Sequence, residues 1–249
     1  MKIGILGTGN IGKTLVRELA KAGRDIKIAN SRGPESIETE IVASGARPVT
    51  AEEAMRDVDV IILSIPFAKH SDIKSLLTDV PTDTVVIDTA NYYPIRDNKI
   101  DAIEAGQVES LWVAEELRRP IAKAWNAVGA RAFSELGKPP GSPDRLAIPV
   151  AADRDIDRDV AMRLVDETGF DPFDAGSLAD SWRQQPGSPV YCTSLKREQM
   201  ATVLASAEKE RLSKRRDLVS QIVQERFGMA QLSNSDADFL TKLNRIVYM

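Results

Sequence analysis

Three glycines near the amino terminus, spaced as G-x-G-x-x-G, carry the clearest chemical signal in the sequence. Gly7 permits a tight turn, Gly9 lets the backbone approach a pyrophosphate, and Gly12 lets a helix pack closely on a strand. An apolar run at residues 2–6 precedes them and a helical pattern follows, so unpaired N–H groups at a helix start would face the anion. This context predicts a dinucleotide site in a βαβ unit of about 30 residues.

The end of the second predicted strand, at residues 25–30, indicates which dinucleotide would bind. A site for NAD usually has Asp or Glu there, to hold the ribose 2′-hydroxyl. This chain has Asn30, Ser31 and Arg32, which offer a hydroxyl and a planar guanidinium to the oxygens of a 2′-phosphate. At about 1.5–3 kcal/mol for each charge-assisted hydrogen bond, one or two such contacts favour NADP over NAD by about ten- to a thousandfold. The sequence therefore predicts NADP(H).

Two further positions are candidates for proton transfer or substrate binding. His70 follows the third predicted strand, so it either faces the site or lies at the surface where a helix begins. Lys123 and Asn126 lie three residues apart at the end of a later strand. Because residues three apart on a strand point to opposite faces, both can enter one site only if the strand ends between them. Asn126 is the favoured site residue of the two.

A segment without regular periodicity, residues 175–190, is the candidate acceptor loop. Long irregular loops in compact domains are uncommon and often functional. Trp182 offers a flat apolar surface and Arg183 offers several hydrogen-bond donors, so the two could close over a nicotinamide or a ring-shaped acceptor. The alternative is a plain linker to the carboxyl-terminal segment.

The elements that would position these residues alternate between strand and helix. Apolar runs at residues 58–65 and 84–88 are typical of strands that are buried on both faces of a parallel sheet. The pattern predicts an α/β fold, with a doubly wound, mostly parallel sheet and a C-terminal helical extension. We assign residues 1–191 to a nucleotide-binding domain with its substrate loop, and residues 192–249 to the extension.

The extension is predicted to contain two amphipathic helices. One covers residues 194–227 and is ended by Gly228, and the other continues through Phe239, Leu243 and Val247. Their apolar stripes must be buried, either on the sheet domain or between two copies of the chain. We expect a homodimer that forms through these helices.

The composition of the 249-residue chain excludes several classes of protein. Lys and Arg number 33 against 37 Asp and Glu, a net charge of −4, so no basic face for nucleic acid is expected. No apolar run approaches the roughly 20 residues of a membrane helix. The single cysteine, Cys192, forbids an internal disulfide and favours a reducing, cytoplasmic compartment. One cysteine and one histidine cannot form the usual zinc site, so no metal is expected.

Several short motifs in fixed order give the chain a resemblance to a known family. They are GTGNIG at 7–12, NSR at 30–32, SIP at 64–66, DTAN at 88–91, KAWN at 123–126 and DAGSLADSWRQQPGSPVY at 174–191. Together they resemble the NADP-dependent oxidoreductases related to coenzyme F420:NADP reductase. The resemblance implies a Rossmann fold and hydride transfer between NADP(H) and a small-molecule acceptor, either a deazaflavin such as F420, a flavin or a similar compound.

The same resemblance implies the cofactor contacts. Residues of the glycine turn would contact the diphosphate, and those at 30–32 the 2′-phosphate. Residues 64–66 would border the adenosine ribose and the nicotinamide side, while residues 91 and 123–126 would lie near the nicotinamide. The cofactor-binding residues are predicted to be Gly7, Thr8, Gly9, Asn10, Ile11, Gly12, Asn30, Ser31, Arg32, Ser64, Ile65, Pro66, Asn91, Ala124 and Asn126. The substrate residues are predicted to be His70, Lys123, Trp182 and Arg183.

Two alternative functions stay open. The protein could reduce a carbonyl or imine, with His70 or Lys123 supplying the proton. It could also be a non-enzymatic NADP sensor. The helical segment after Tyr191 is longer than is typical of compact F420 reductases, so the acceptor is not fixed by the resemblance.

Overall fold

The computed structural model describes residues 1–228 and 234–249, and within these ranges eight strands form one sheet. The strands are β1 (Lys2–Leu6), β2 (Asp25–Ala29), β3 (Arg47–Pro48), β4 (Val60–Leu63), β5 (Val85–Asp88), β6 (Ala122–Lys123), β7 (Ala147–Ala152) and β8 (Asp171–Asp174). Their order across the sheet is β3-β2-β1-β4-β5-β6-β7-β8. Neighbouring strands are parallel except β6 and β7, which are antiparallel. The predicted doubly wound, mostly parallel sheet is confirmed.

Helices cover both faces of this sheet. They are α1 (Asn10–Lys21), α2 (Thr39–Ala43), α3 (Ala51–Met55), α4 (His70–Ile73), α5 (Pro94–Asp97), α6 (Asp101–Glu104), α7 (Glu109–Leu117), α8 (Ala130–Glu135), α9 (Asp155–Glu167), α10 (Arg197–Ala205), α11 (Leu212–Phe227) and α12 (Asn234–Tyr248). None of these helices is long and apolar enough to cross a membrane.

The strands are apolar on both faces, which is why helices must cover both. In β4, Val60 and Ile62 belong to one hydrophobic cluster, whereas Ile61 and Leu63 belong to another. Helices α1 and α9 pack in the first cluster, and helices α3 and α7 pack in the second. From β1 the chain builds outward to β3 on one side and from β4 to β8 on the other. A ligand crevice is therefore expected beyond the carboxyl ends of β1 and β4, where the strand order reverses.

The segment predicted to be an irregular loop, residues 175–190, is ordered and largely buried. It contains a 3₁₀ helix over Leu178–Gln184, and residues 184–190 are all buried. The N–H of Leu178 donates to the carboxylate of Asp153 at 2.9 Å, which ties the start of the 3₁₀ helix to the end of β7. The prediction of a structureless loop is therefore wrong, because a single short 3₁₀ helix leaves no apolar period to detect.

The extension is also divided differently from the prediction. Helix α10 ends at Ala205 and α11 begins at Leu212, so the single helix predicted over residues 194–227 is wrong. The chain turns between the two helices and brings the backbone of Leu212 against Gly187, where an added Cβ would lie 2.1 Å from the Leu212 carbonyl oxygen. Gly228 ends α11, as predicted. Residues 229–233 of the predicted extension lie outside the described residues.

The helices of the extension pack on the sheet domain of the same chain. Leu204, Val219, Leu243 and Tyr248 share one hydrophobic cluster with Tyr191. Much of the predicted apolar surface is thus buried within one chain, which is the first of the two possibilities that the sequence left open. The division at residue 191 stays an interpretation, because the parts on either side of it share this cluster.

Candidate functional site

The three glycines of the turn after β1 meet three different structural demands. Gly7 has a φ of +109°, and an added Cβ would lie 2.0 Å from the carbonyl oxygen of Ser64. A Cβ on Gly12 would lie 2.1 Å from the carbonyl oxygen of Gly7. A Cβ on Gly9 would meet no described atom within 4 Å. The fold therefore requires Gly7 and Gly12, whereas Gly9 leaves an open approach to the backbone.

The open approach at Gly9 lies directly over the start of α1. Gly9 is the N-cap residue, no side chain caps the helix, and the first turn carries no acidic residue. The first N–H groups of a helix lack partners within the helix and carry a partial positive charge. The turn thus has both the space and the donors that a diphosphate needs, and it fits the group that the sequence predicts.

The tip of β2 is organised by the side chain of Asn30. Its Oδ1 accepts the N–H of Arg32 at 2.9 Å, and its Nδ2 donates to Ser36 at 2.9 Å and to the Thr8 hydroxyl at 3.5 Å. These hydrogen bonds of the Asn30 side chain fix the local backbone, and the one to Thr8 joins it to the glycine turn. Ser31 and Arg32 are exposed, and within the described ranges nothing is hydrogen-bonded to the Arg32 guanidinium. The guanidinium is therefore available to an anion beside the glycine turn.

A cavity of about 910 Å³ opens at the carboxyl ends of β1, β5 and β6. Of the predicted cofactor residues, Asn10, Ile11, Asn91 and Asn126 line it. Helices α11 and α12 form another wall, so the extension closes a space that the sheet domain opens. Its volume lies within the roughly 300–1,000 Å³ that is usual for small-molecule sites.

Two asparagines from neighbouring strand ends, Asn91 and Asn126, form the floor of this cavity, and Gln184 is bonded to Asn126 without itself lining the cavity. The Asn126 amide nitrogen donates to Asn91 Oδ1 at 3.1 Å and to the Gln184 carbonyl at 2.8 Å. In return, Asn91 donates to the Asn126 carbonyl and Gln184 donates to Asn126 Oδ1, each at 2.9 Å. The hydrogen bonds of the Asn126 side chain thus hold the floor together. The sequence placed Gln184 among the hydrogen-bond donors of the candidate acceptor loop, but it could not predict the bond to Asn126, which lies 58 residues away.

The remaining predicted cofactor residues have less direct positions. The Ser64 N–H donates to the Leu6 carbonyl at 2.8 Å, which places residues 64–66 beside the glycine turn, with Pro66 exposed. The side chain of Ala124 is fully buried in the core and does not line the cavity. A side-chain contact between Ala124 and a cofactor is therefore not supported by its position.

His70 and Lys123 lie together beneath the site, and both are completely buried. Lys123 Nζ donates to Asp88 Oδ2 at 2.6 Å and to the carbonyl of Ala90, while His70 Nε2 is 2.9 Å from Asp88 Oδ1. Both predicted positions of His70 are therefore wrong, because its side chain lies neither at the surface nor facing the site. Strand β6 ends at Lys123, so Lys123 turns inward to Asp88 while Asn126 enters the cavity wall.

The buried cluster has defined charges. His70 Nδ1 lies 2.7 Å from the Phe67 carbonyl and its Nε2 faces the Asp88 carboxylate. Each ring nitrogen of His70 therefore faces an acceptor, a carbonyl on one side and a carboxylate on the other. Burial alone would raise the pKa of Asp88, but the charges and hydrogen bonds of Lys123 and His70 hold that pKa well below its usual range. Asp88 is therefore an ionised carboxylate held between Lys123 and His70.

Trp182 and Arg183 do not line the cavity. The Arg183 guanidinium stacks over the Trp182 ring at 4.2 Å and bonds to Asp180 at 3.0 Å. The 3₁₀ helix presents Gln184 to Asn126 and leaves these two side chains partly exposed. Their predicted contact with substrate is not supported by this placement. The segment instead contributes Gln184, and Tyr191 just beyond it, to the site.

Comparisons with known proteins match parts of the chain. A family described as "NADP oxidoreductase coenzyme F420-dependent" matches residues 2–92. "Putative protein YjhV" of Escherichia coli strain K12 is 56% identical over 54 residues, which is 22% of this chain and 39% of that protein. "Metalloreductase STEAP3" of Rattus norvegicus is 26% identical over 182 residues, 72% of this chain and 35% of that protein. The matches thus span well under half the length of these relatives.

A solved structure covers more of the chain. The hypothetical protein SMa0349 from Sinorhizobium meliloti is similar with a TM-score of 0.70 and 25% identity, over 79% of this chain and 96% of that one. A "putative f420 dependent nadp-reductase" from Arthrobacter has a TM-score of 0.55 at 17% identity, over 73% and 87% of the two chains, and shares the fold. The resemblance to the F420-dependent NADP oxidoreductases is therefore confirmed, and it is carried by residues 2–92, which hold the glycine turn and the tip of β2.

Proposed function

We propose that the protein is an NADPH-dependent oxidoreductase that passes a hydride between NADP(H) and a small-molecule acceptor such as a deazaflavin or a flavin. The observation that carries the proposal is the open backbone at Gly9, over an uncapped helix start that leads into the cavity. The family matched by residues 2–92 supports the cofactor. The enclosure by α11 and α12 supports a second bound molecule, because the cavity extends from the glycine turn to the extension.

In this proposal, each part of the site binds one part of the cofactor. The turn at Gly9, Asn10 and Ile11 holds the diphosphate, while Ser31 and Arg32 hold the 2′-phosphate. Asn91 and Asn126 would hold the nicotinamide, which supplies the hydride when bound. Hydride transfer asks the protein mainly for orientation and for exclusion of water. The floor provides orientation, and the wall of α11 and α12 excludes water.

Of the two alternative functions, carbonyl or imine reduction with His70 or Lys123 as the proton donor loses its support. Both side chains are fully buried and are already bonded to Asp88. A donor for such a reaction would have to come from the cavity wall. Only a measurement of turnover distinguishes a non-enzymatic NADP sensor from the enzyme.

The experiment that tests the proposal follows NADPH oxidation by absorbance, with matched NADH controls. The acceptors are F420, FMN, FAD, ferric chelates, quinones and simple aldehydes. We expect turnover with at least one conjugated ring acceptor and a strong preference for NADPH. Tight NADPH binding without turnover would contradict the enzyme and favour a sensor, and no NADPH binding would contradict both.

Replacing Arg32 by alanine is expected to lower the NADPH-over-NADH preference by about ten- to a thousandfold, because a charged contact to the 2′-phosphate is lost. NADH binding should change little. The measurement is the ratio of the two dissociation constants from fluorescence titration. Arg163→Ala, at another exposed arginine on α9, is the matched control for loss of one positive charge. An unchanged ratio in Arg32→Ala would show that the tip of β2 does not bind the 2′-phosphate.

We also propose that two copies associate through the extension. Apolar side chains of α11 and α12 remain exposed, with Leu218 at 47% and Ile246 at 80%. Light scattering at micromolar concentration measures this directly, and a monomer would count against it.

A further inference from the structure

Two tyrosine hydroxyls meet inside the cavity. Tyr93 Oη donates to Tyr191 Oη at 2.9 Å, although the residues are 98 positions apart in the chain. Both residues line the cavity that contains Asn91 and Asn126. Tyr93 follows Asn91 by two residues, so the pair lies next to the floor on which the nicotinamide is proposed to rest. Tyr93 has no role in the site described so far, and Tyr191 has been placed only in the cavity lining.

One hydroxyl hydrogen of the two tyrosines is left over after they bond to each other. Two phenols carry two hydroxyl hydrogens, and one hydrogen bond between them uses one. The spare hydrogen belongs to Tyr191, whose hydroxyl interacts with the thiol of Cys192. Sulfur is a weak acceptor, so an oxygen that enters the cavity would compete well for the spare hydroxyl hydrogen.

The surrounding groups keep the pair protonated. Burial raises the pKa of Tyr93, with the charge of Cys192 adding to the effect, and burial likewise raises the pKa of Tyr191, with a contribution from Tyr93. Burial also raises the pKa of the Cys192 thiol to about 12. All three groups therefore stay neutral near pH 7 and present hydrogen-bond donors rather than anions.

A positive charge lies beside the pair. The Arg96 guanidinium lies 5.5 Å from the centre of the Tyr93 ring, and it is held there by Asp97 and by the Asn91 carbonyl. The charge of Arg96 opposes part of the rise in the pKa of Tyr93, so it also favours negative charge on an oxygen bound by the hydroxyls. The pair thus suits an oxygen that is neutral when it binds and becomes more negative during the reaction.

We propose that Tyr93 and Tyr191 form an acceptor subsite that binds a neutral conjugated carbonyl oxygen of the hydride acceptor. The subsite rests on the proposed function and specifies its substrate class. The acceptor gains the hydride with both bonding electrons, its π electrons move onto the held oxygen, and a proton from water completes the reduction. The cofactor is oxidised and the acceptor is reduced by two electrons. The hydroxyl hydrogen bond strengthens as the oxygen becomes negative.

The test measures binding of two flat tricyclic probes to the NADP⁺-saturated protein by calorimetry. Alloxazine carries carbonyl oxygens, whereas phenazine has none. We expect the wild-type protein to prefer alloxazine, and the double variant Tyr93→Phe/Tyr191→Phe, which removes both hydroxyl groups, to reduce that preference by about three- to tenfold, the effect of one hydrogen bond. Tyr92→Phe is the matched control, because its hydroxyl accepts the Ile100 N–H at 3.1 Å outside the cavity, and it should keep the preference.

The ratio of the two affinities separates a binding role from a structural one. A general loosening of the cavity would weaken both probes and leave their ratio unchanged. An unchanged ratio in the double variant Tyr93→Phe/Tyr191→Phe therefore overturns the subsite, as does equal binding or no binding of the two probes by the wild-type protein. If NADP⁺ itself does not bind, the proposed function fails with it. Normal NADPH turnover with an unchanged ratio leaves the proposed function standing and removes only the subsite.

Discussion

Replacing Gly9 by valine is expected to weaken NADPH binding by about a hundredfold or more while the fold stays intact. An added Cβ meets no described atom within 4 Å, so the valine side chain extends into the space through which a diphosphate would reach the start of α1. Loss of one or two charge-assisted hydrogen bonds, at about 1.5–3 kcal/mol each, gives this size. The free energy of unfolding should fall by about 1 kcal/mol at most, because Gly9 is an N-cap residue without a side-chain bond.

The matched comparison for Gly9→Val is Gly12→Ala. There the added Cβ would lie 2.1 Å from the Gly7 carbonyl oxygen, so the turn itself must shift and stability should fall first. Fluorescence titration with NADPH and urea unfolding, applied to both variants, separate loss of binding from loss of folding. Normal NADPH affinity in Gly9→Val would show that the diphosphate does not lie at this turn.

The parts of the molecule that the sequence predicts well are those with local causes. The glycine turn is one, because the roles of Gly7 and Gly12 depend on backbone geometry within a few residues or on an adjacent strand end. The sheet is another, because β4 and β5 are buried at every position and must therefore read as continuous apolar runs.

The parts that the sequence could not predict depend on contacts between distant residues. The bond between Tyr93 and Tyr191 spans 98 positions, and that between Lys123 and Asp88 spans 35. A polar residue after a strand looks the same in sequence whether it faces a ligand or turns into the core. For this reason Lys123 was predicted to contact substrate, whereas its side chain is hydrogen-bonded to the buried carboxylate of Asp88. The break between α10 and α11 is likewise set by a contact with Gly187 in another segment.

The buried charges are nevertheless connected to the site. Asp88 Oδ1 accepts the N–H of Ala90 at 3.1 Å, and Lys123 holds the carbonyl of the same residue. Asn91, the next residue, forms the cavity floor with Asn126. The cluster therefore fixes the backbone that presents the floor, and its residues act by positioning rather than by contact with substrate.

Replacing Lys123 by methionine is expected to destabilise the protein by about 3–5 kcal/mol, because it leaves the ionised Asp88 buried without its main partner. This is a large fraction of the roughly 5–15 kcal/mol of an ordinary domain. Lys69→Met is the matched control, since Lys69 and Asp72 form a pair at 2.7 Å with both side chains about 60% exposed. It should cost less than about 1 kcal/mol. Urea unfolding at pH 7 measures both, and equal costs would contradict the argument.

The cost of Lys123→Met should also depend on pH, in a direction that the charges determine. In the wild-type protein the pKa of Asp88 is lowered, so its contribution to stability is present above about pH 4 and is lost only as the pH falls through the lower folded value. Without Lys123, burial dominates and the pKa of Asp88 should rise. The pKa of Glu109, already raised by burial and opposed by Lys123, should rise further. Both carboxylates then take up protons more readily in the folded variant, so the stability gap should narrow as the pH falls from 7 towards 4. A gap that stays constant over this range would mean that the variant keeps Asp88 ionised by another route, such as water entering the cluster.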